Sequence, residues 1–438
     1  MTLPTTDWTT RITLTLALAL AAGCTPSMDA TPAADGTFAS AHTDGPTSDG
    51  PVIVEVEDTA DESVKGSDEG DEHGDDSSEE PVIAEEPDVP NEEVKGEEAA
   101  EEATGEVTAT FTPAAECAVG PGEGSAGIQQ CLATVEAMGG IVTLEEGEYI
   151  VTDTITVPSG VELAGAGLQT VLTLDSGANV PVILVGQADE NPTRRASQVV
   201  LRDFAIFGNG GDQTSESTDE AAWIPVAGIV FRNAADSKVA NVAISETASS
   251  GVMIDAGSER IMLEVVEVIE AAFDGITVQA STEITVSRTT LQDNGGSGIS
   301  FDWGVTDSVV VGSTILGNGY RWGGGDNPGV YMAMTSGVSV EGSTVSRNDG
   351  NGIVLTNQGM AADPTKTCSS ANTFRSNTVS ENGQFGFWLT HSTCEANRSI
   401  DNDMLSNAWG PVFEPVCGQL DTVAGTCEGP GCSATCGD

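Results

Sequence analysis

A glycine followed by an apolar residue recurs through the second half of the chain, and its spacing is the tightest constraint the sequence holds. The segments are AGIVFRN, SGVMIDA, DGITVQA, SGISFDW, PGVYMAM, NGIVLTN, FGFWLTH and WGPVFEP. Their glycines are Gly228, Gly251, Gly275, Gly298, Gly329, Gly352, Gly386 and Gly410, with successive gaps of 23, 24, 23, 31, 23, 34 and 24 residues. The two long gaps contain the insertions RWGGGDNP and GMAADPTKTCSS. Each unit continues into a second apolar stretch, such as EITVSRTTLQDN, often closed by an asparagine: Asn294, Asn318, Asn348, Asn382 or Asn407. Strands this short cannot each bury a face alone, but stacked at one coil per repeat they share a continuous core.

The coil length resembles the right-handed parallel β-helix of the pectin-lyase-like superfamily. SAGIQQCLATVEAMGGIVTLEEGEYIVTDTITVPSGVELAGAG, residues 125–167, resembles the family's opening, in which a short amphipathic helix caps the first coil. Ile128, Leu132 and Val135 have helical spacing and are placed to cover the open end. The expected fold is therefore all-β: a right-handed parallel β-helix solenoid over 116–415 with an N-terminal capping helix.

QDNGGSGISFDW, from Gln292 to Trp303, also invites a metal-loop reading. The calcium-binding nonapeptide repeat needs Asp where this chain has Ser300, and the period here is near 23. The glycine pair then belongs to a coil turn, with Gly298 adopting a backbone conformation that a Cβ would disfavour. Asn294 is expected in a stack of asparagines that bond to one another and to the turn backbone.

After each repeated glycine, the first and third residues should point inward and the second and fourth outward. The fourth-position row is Arg232, Asp255, Gln279, Asp302, Ala333, Thr356, Thr390 and Glu414. The second-position row is Val230, Met253, Thr277, Ser300, Tyr331, Val354, Trp388 and Val412. Asp255 and Asp302 lie two coils apart, about 10 Å, and side-chain rotation brings such a pair toward the roughly 6.5–9.5 Å of an inverting glycosidase. They are the candidate catalytic residues. Gln279, Trp303, Tyr331, Trp388, His391 and Arg232 are the candidate substrate-binding residues. The excursions 208–226 and 320–329, the latter with Tyr320, Arg321, Trp322 and Asp326, flank the same face.

The resemblance does not extend to the superfamily's catalytic signatures. The Asn-Thr-Asp, Asp-Asp, Gly-His-Gly and Arg-Ile-Lys motifs of polygalacturonase-like hydrolases are missing from the repeats. The Asp-Pro-His of alginate epimerases is absent, because Asp363–Pro364 continues with Thr365. Pectate lyases use a basic residue and calcium, and the folded part has only Lys238 and Lys366 as lysines. No cofactor is evident; calcium is the one the resemblance leaves open. The net charge of −53 excludes nucleic-acid binding, which needs clustered cations. It also repels polyuronates unless calcium bridges them.

The chain ends point to export. Arg11 precedes an apolar run of about eleven residues, too short for a span of roughly 30 Å. Small residues lead to Cys24, so residues 1–23 resemble a bacterial lipoprotein signal and Cys24 its lipidation site. Thr25 is compatible with passage to an outer membrane or the cell surface. Residues 24–115 read as a disordered acidic linker: between Asp44 and Glu106, 25 acidic residues face only Lys65 and Lys95. PVIVEVEDTADESVKG and PVIAEEPDVPNEEVKG repeat within it at a 30-residue shift, as an expanding stalk would. The remaining cysteines are even in number: Cys117, Cys131, Cys368, Cys394, Cys417, Cys427, Cys432 and Cys436, the last four in a Cys-rich tail, 416–438. Neighbouring positions suggest Cys117 with Cys131, Cys368 with Cys394, and two loops in the tail.

Two functions fit these expectations. One is an exported lipoprotein, membrane-bound through its lipid only, whose β-helix binds or processes an extracellular polysaccharide as a hydrolase or lyase would. The other is a non-catalytic structural or adhesion rod of the cell envelope. Fold alone does not choose between them.

Overall fold

The computed structural model describes residues 115–213, 224–321, 327–357, 368–390, 394–414, 420–423, 427–428 and 435–436. The signal segment, Cys24, the linker before residue 115, Trp322, Asp326, His391, Cys417 and Cys432 lie outside the described residues, as do the side chains of Cys427 and Cys436.

The strand Ala115–Val119 pairs in parallel with Gly140–Leu144. Between them runs helix α1, Gly124–Val135, whose Ile128, Leu132 and Val135 are fully buried. That apolar stripe covers the first coil and shields its core from water. A disulfide between Cys117 and Cys131 ties α1 to the first strand. A second joins Cys368 to Cys394 across neighbouring coils.

From there the chain winds as stacked coils. Among the described residues eleven strands form one parallel sheet, running from Ile155–Val157 to Thr435–Cys436. We call it the glycine-strand sheet, because each repeated glycine lies at its edge. The other strands merge into a second parallel sheet of 21, bent where its strands turn a corner. Leu420–Val423, Cys427–Glu428 and Thr435–Cys436 extend these ladders beyond residue 415.

Register holds from coil to coil. Ile229, Val252, Ile276, Ile299, Val330, Ile353 and Phe387 form one line, and Phe231, Ile254, Val278, Phe301, Met332, Leu355 and Leu389 a second. All fourteen are fully buried, as the first and third positions should be. The last coil departs from the expected alignment. Gly410 pairs with Phe385, and Phe387 with Val412, so the strand is set one residue later than a Gly386–Gly410 match implies. A one-residue slip exchanges the two faces. Val412 and Glu414 therefore turn inward and are buried, and Phe413 takes the outward place beside Trp388.

The corners explain how a short coil can close. Among the described residues, twenty-six non-glycine residues have φ between 43° and 60°, a left-handed conformation uncommon outside glycine. Most fall into vertical rows, one residue per coil. Ala256, Ala280, Trp303 and Met334 make one corner; Glu246, Glu270, Asp293, Arg347, Glu381 and Ser406 make another. Immediately after the second row stands the asparagine stack. Asn294, Asn318, Asn348 and Asn382 each donate the side-chain amide to Oδ1 of the next asparagine, at 2.8, 2.9, 3.0 and 2.8 Å. The same Oδ1 atoms also accept the preceding asparagine's backbone N–H. Shorter stacks join Asn372 to Asn397 and Asn377 to Asn402.

Gly298 is selected for a reason other than the expected one. Its φ is not left-handed. A Cβ there would stand 2.4 Å from Cγ2 of Ile315 and 2.8 Å from the carbonyl oxygen of Gly329. Close packing against the core and the next coil, rather than backbone conformation, requires the glycine.

Candidate functional site

The outer side of the glycine-strand sheet carries three columns of side chains, with coils about 4.8 Å apart. The central column is Leu184, Val230, Met253, Thr277, Ser300, Tyr331, Val354, Trp388 and Phe413. It is apolar at the first coils and hydroxylated in the middle, and towards the end it carries Tyr331, Trp388 and Phe413, with the buried Val354 between the first two. Tyr331, Trp388 and Phe413 are half-buried, so their rings remain partly open to solvent. Phe413 lies 5.4 Å from the ring of Phe385, which meets the exposed Trp409 edge-on at 5.6 Å.

The fourth-position column divides into two parts. Arg232 and Asp255 pair in register, and both are buried. An Arg232 guanidinium nitrogen meets Oδ2 of Asp255 at 3.0 Å, and another donates to the carbonyls of Asp189 and Glu190, both at 3.1 Å. The excursion 187–195 thus lies over the pair. It closes on itself through Gln187 Oε1, which accepts from the N–H groups of Thr193 and Arg194, and Arg195 anchors its end on Glu259. Oδ1 of Asp255 has no hydrogen-bond partner among the described residues. Burial pushes this carboxyl up to about 6 against the opposing pull of Arg232.

Gln279 and Asp302 form the open part of that column: they pair in register and are half-exposed. Asp302 Oδ1 accepts the N–H of Trp303 at 2.7 Å. Trp303 occupies a left-handed corner with φ 59° and is 55 % exposed, so its indole stands out from the coil. The structure therefore brings Gln279, Asp302 and Trp303 together. It places Arg232 and Asp255 beneath a loop, and Tyr331 and Trp388 on the adjoining central column.

The third column, immediately before each glycine, holds a residue the sequence reading missed. Asp274 is buried, and its carboxylate accepts from Ser300 Oγ at 2.6 Å, the Ser297 N–H at 2.7 Å and Thr277 Oγ1 at 3.1 Å. Thr277 and Ser250 hydroxyls meet at 2.7 Å, extending the network to a third coil. Burial raises the carboxyl to about 6 despite these donors. The available signal was FDGIT: in the aligned coils from Ala227 to Phe385, only this one has an acid before the glycine.

The family model described as right handed beta helix region matches residues 275–414. A second, described as rhamnogalacturonase A/epimerase, pectate lyase-like, matches residues 120–326. The protein is a right-handed parallel β-helix. No curated protein matches the sequence. Among solved structures, the β-helix is similar to the mannuronan C-5 epimerase AlgE4 A-module of Azotobacter vinelandii. That match has 17% identity over 73% of this chain and 99% of the other, with a TM-score of 0.43. It is also similar to the surface protein and adhesin PfbA of Streptococcus pneumoniae, at 12% identity over 69% and 92% of the two chains and a TM-score of 0.42. The tailspike protein 2 of bacteriophage CBA120 gives 14% identity, 68% and 44% coverage and a TM-score of 0.47. Among the described residues of this β-helix, no group of three or more His, Cys, Asp or Glu side chains is placed to hold a metal ion.

Proposed function

We propose that the protein is an exported surface lipoprotein whose β-helix binds a polysaccharide along the outer face of the glycine-strand sheet. The observation that carries this reading is the aromatic column Tyr331, Trp388 and Phe413 beside the half-exposed Gln279 and Asp302. Trp388 and Phe413 in consecutive coils, with Tyr331 two coils before Trp388, offer flat surfaces to the apolar faces of sugar rings along a chain, and the amide and carboxylate suit their hydroxyls. Binding fits better than hydrolysis by the Asp255–Asp302 pair. Asp255 is committed to Arg232 under the 187–195 excursion, so it is not presented across an open groove from Asp302.

Two disulfides support an oxidising compartment, and Cys24 with the acidic segment after it supplies the anchor and stalk. Two experiments test the reading. The full chain is screened against a glycan panel, with reducing ends and unsaturated products followed in parallel. Binding that Trp388→Ala weakens at least tenfold supports it. A panel with no bound glycan, or binding indifferent to Trp388→Ala and Phe413→Ala, overturns it. Product formation abolished by Asp302→Asn would instead establish processing. Detergent-phase partitioning of the native protein, lost in Cys24→Ala, tests the anchor.

A further inference from the structure

A concave site lies at the corner that carries the asparagine stack, and none of its lining residues belongs to the aromatic column. Its volume is about 350 Å³, near the lower end of the roughly 300–1,000 Å³ of small-molecule sites. Glu246, Glu270, Tyr320 and Arg321 contribute its chemistry, and Gly211 and Ala272 help to shape it.

Each wall is fixed by the coil beneath it. Glu246 and Glu270 are equivalent corner residues of consecutive coils, because Ser245 pairs with Ile269. Their N–H groups donate to the carbonyls of Ile269 and Gln292, at 3.1 and 3.2 Å. Both side chains therefore leave the same corner about one coil step, ~4.8 Å, apart. Arg321 is held by its N–H on the carbonyl of Gly295 and by its guanidinium on the carbonyl of Ala272, both at 3.1 Å. Tyr320, next to it, is 56 % exposed. A Cβ built on Gly211 would meet nothing within 4 Å, so that wall is open.

The combination is selective. A phenol ring offers a flat apolar surface, and paired carboxylates accept from hydroxyl or ammonium donors. Two carboxylates outnumber the single guanidinium, and the chain carries a net charge of −53, so anionic ligands are repelled. We infer that this cleft binds a protonated amino-sugar unit, with the pyranose against Tyr320 and its ammonium between Glu246 and Glu270. The inference stands apart from the outer-face reading, since none of its residues belongs to the aromatic column.

The test is calorimetric titration of the full chain with glucosamine disaccharide and with its N-acetylated counterpart, at pH 6 and physiological salt. The amine is expected to bind at least tenfold more tightly. Tyr320→Ala and Glu270→Gln, checked for unchanged melting, should each weaken it at least tenfold, and Trp388→Ala should leave it unchanged. Equal binding of the two sugars, or binding of neither, overturns the assignment. So does binding that survives both substitutions, which would mark general attraction to the acidic chain. Loss of binding in Trp388→Ala also overturns it, by moving the ligand to the outer face.

Discussion

Arg232 and Asp255 occupy the same position of successive coils, and their charged groups meet at 3.0 Å beneath the 187–195 excursion. Each covers the other's charge in a site that water barely reaches. Removing one partner strands the other, which typically costs about 3–5 kcal/mol. Asp255→Ala should lower stability by that order, read as a drop in denaturant midpoint. It should also open 187–195 to protease before the rest of the β-helix. Arg232→Met with Asp255→Leu should recover most of the loss, because an apolar pair carries no desolvation penalty.

The carboxyls of Asp255 and Asp274 both sit at about 6 in the folded chain, above the roughly 3.9 of an unfolded aspartate. Between those values the folded state holds more protons, so stability falls as pH rises. Their favourable contribution is complete below about pH 4, declines through the window and levels off above about pH 6. Asp274→Asn removes one titration. Its carbonyl can still accept from Ser297, and the Ser300 and Thr277 hydroxyls can rotate to accept from the amide. Thermal scans from pH 4 to 8 should find it near wild type at pH 4 and more stable than wild type at pH 7. Taking the difference between the two proteins cancels the relief of general acidic repulsion at low pH.

Asn348 sits mid-stack. It donates to Asn382 and to the carbonyl of Ile315, and accepts from both amide groups of Asn318. Asn348→Ala deletes four hydrogen bonds and leaves buried donors on Asn318 without that acceptor. Each such group costs about 1–3 kcal/mol. A loss of roughly 3 kcal/mol or more is expected in chemical denaturation. An exposed control, Glu146→Ala, should stay within about 0.5 kcal/mol of wild type.

Trp303 holds an exposed indole at a left-handed corner, where a side chain other than Asn or Gly is disfavoured by about 1–2 kcal/mol. Trp303→Asn should therefore leave the melting temperature unchanged or raise it. If the indole serves the outer face, the same substitution weakens binding of the glycan identified in the panel. A variant that both melts lower and binds unchanged would assign Trp303 to packing.

Much of this fold was legible because the coil repeats. The glycine period located the core lines, the asparagines that close each unit located the stack, and Ile128, Leu132 and Val135 located the cap. Periodicity does not encode what lies over a row. Arg232 and Asp255 were placed correctly in a column, but their burial depends on the path of 187–195, which repeats nothing. Asp274 escaped because the residue before a repeated glycine lies in the turn, where alternation no longer tells in from out. Glu414 was assigned outward because Gly410 matched the motif, whereas its backbone pairs one place earlier, with Phe385. The disulfides Cys117–Cys131 and Cys368–Cys394 followed from proximity along the chain.

The asparagine stack also gives the rod an arrow. Every side-chain amide from Asn294 to Asn382 gives one hydrogen to the asparagine of the next, C-terminal coil and another to a backbone carbonyl of the coil before it, so the asparagine-to-asparagine bonds all run one way. The series is finished at both ends: Ala271 N–H donates to Asn294 Oδ1, and Asn407 donates to the carbonyl of Val379. A coil removed or duplicated within the run can rejoin it only if it offers an acceptor to the coil before it and a donor to the coil after it. The whole repeat is thus the natural unit of deletion or duplication, and length can change in steps of one coil without breaking the stack's polarity.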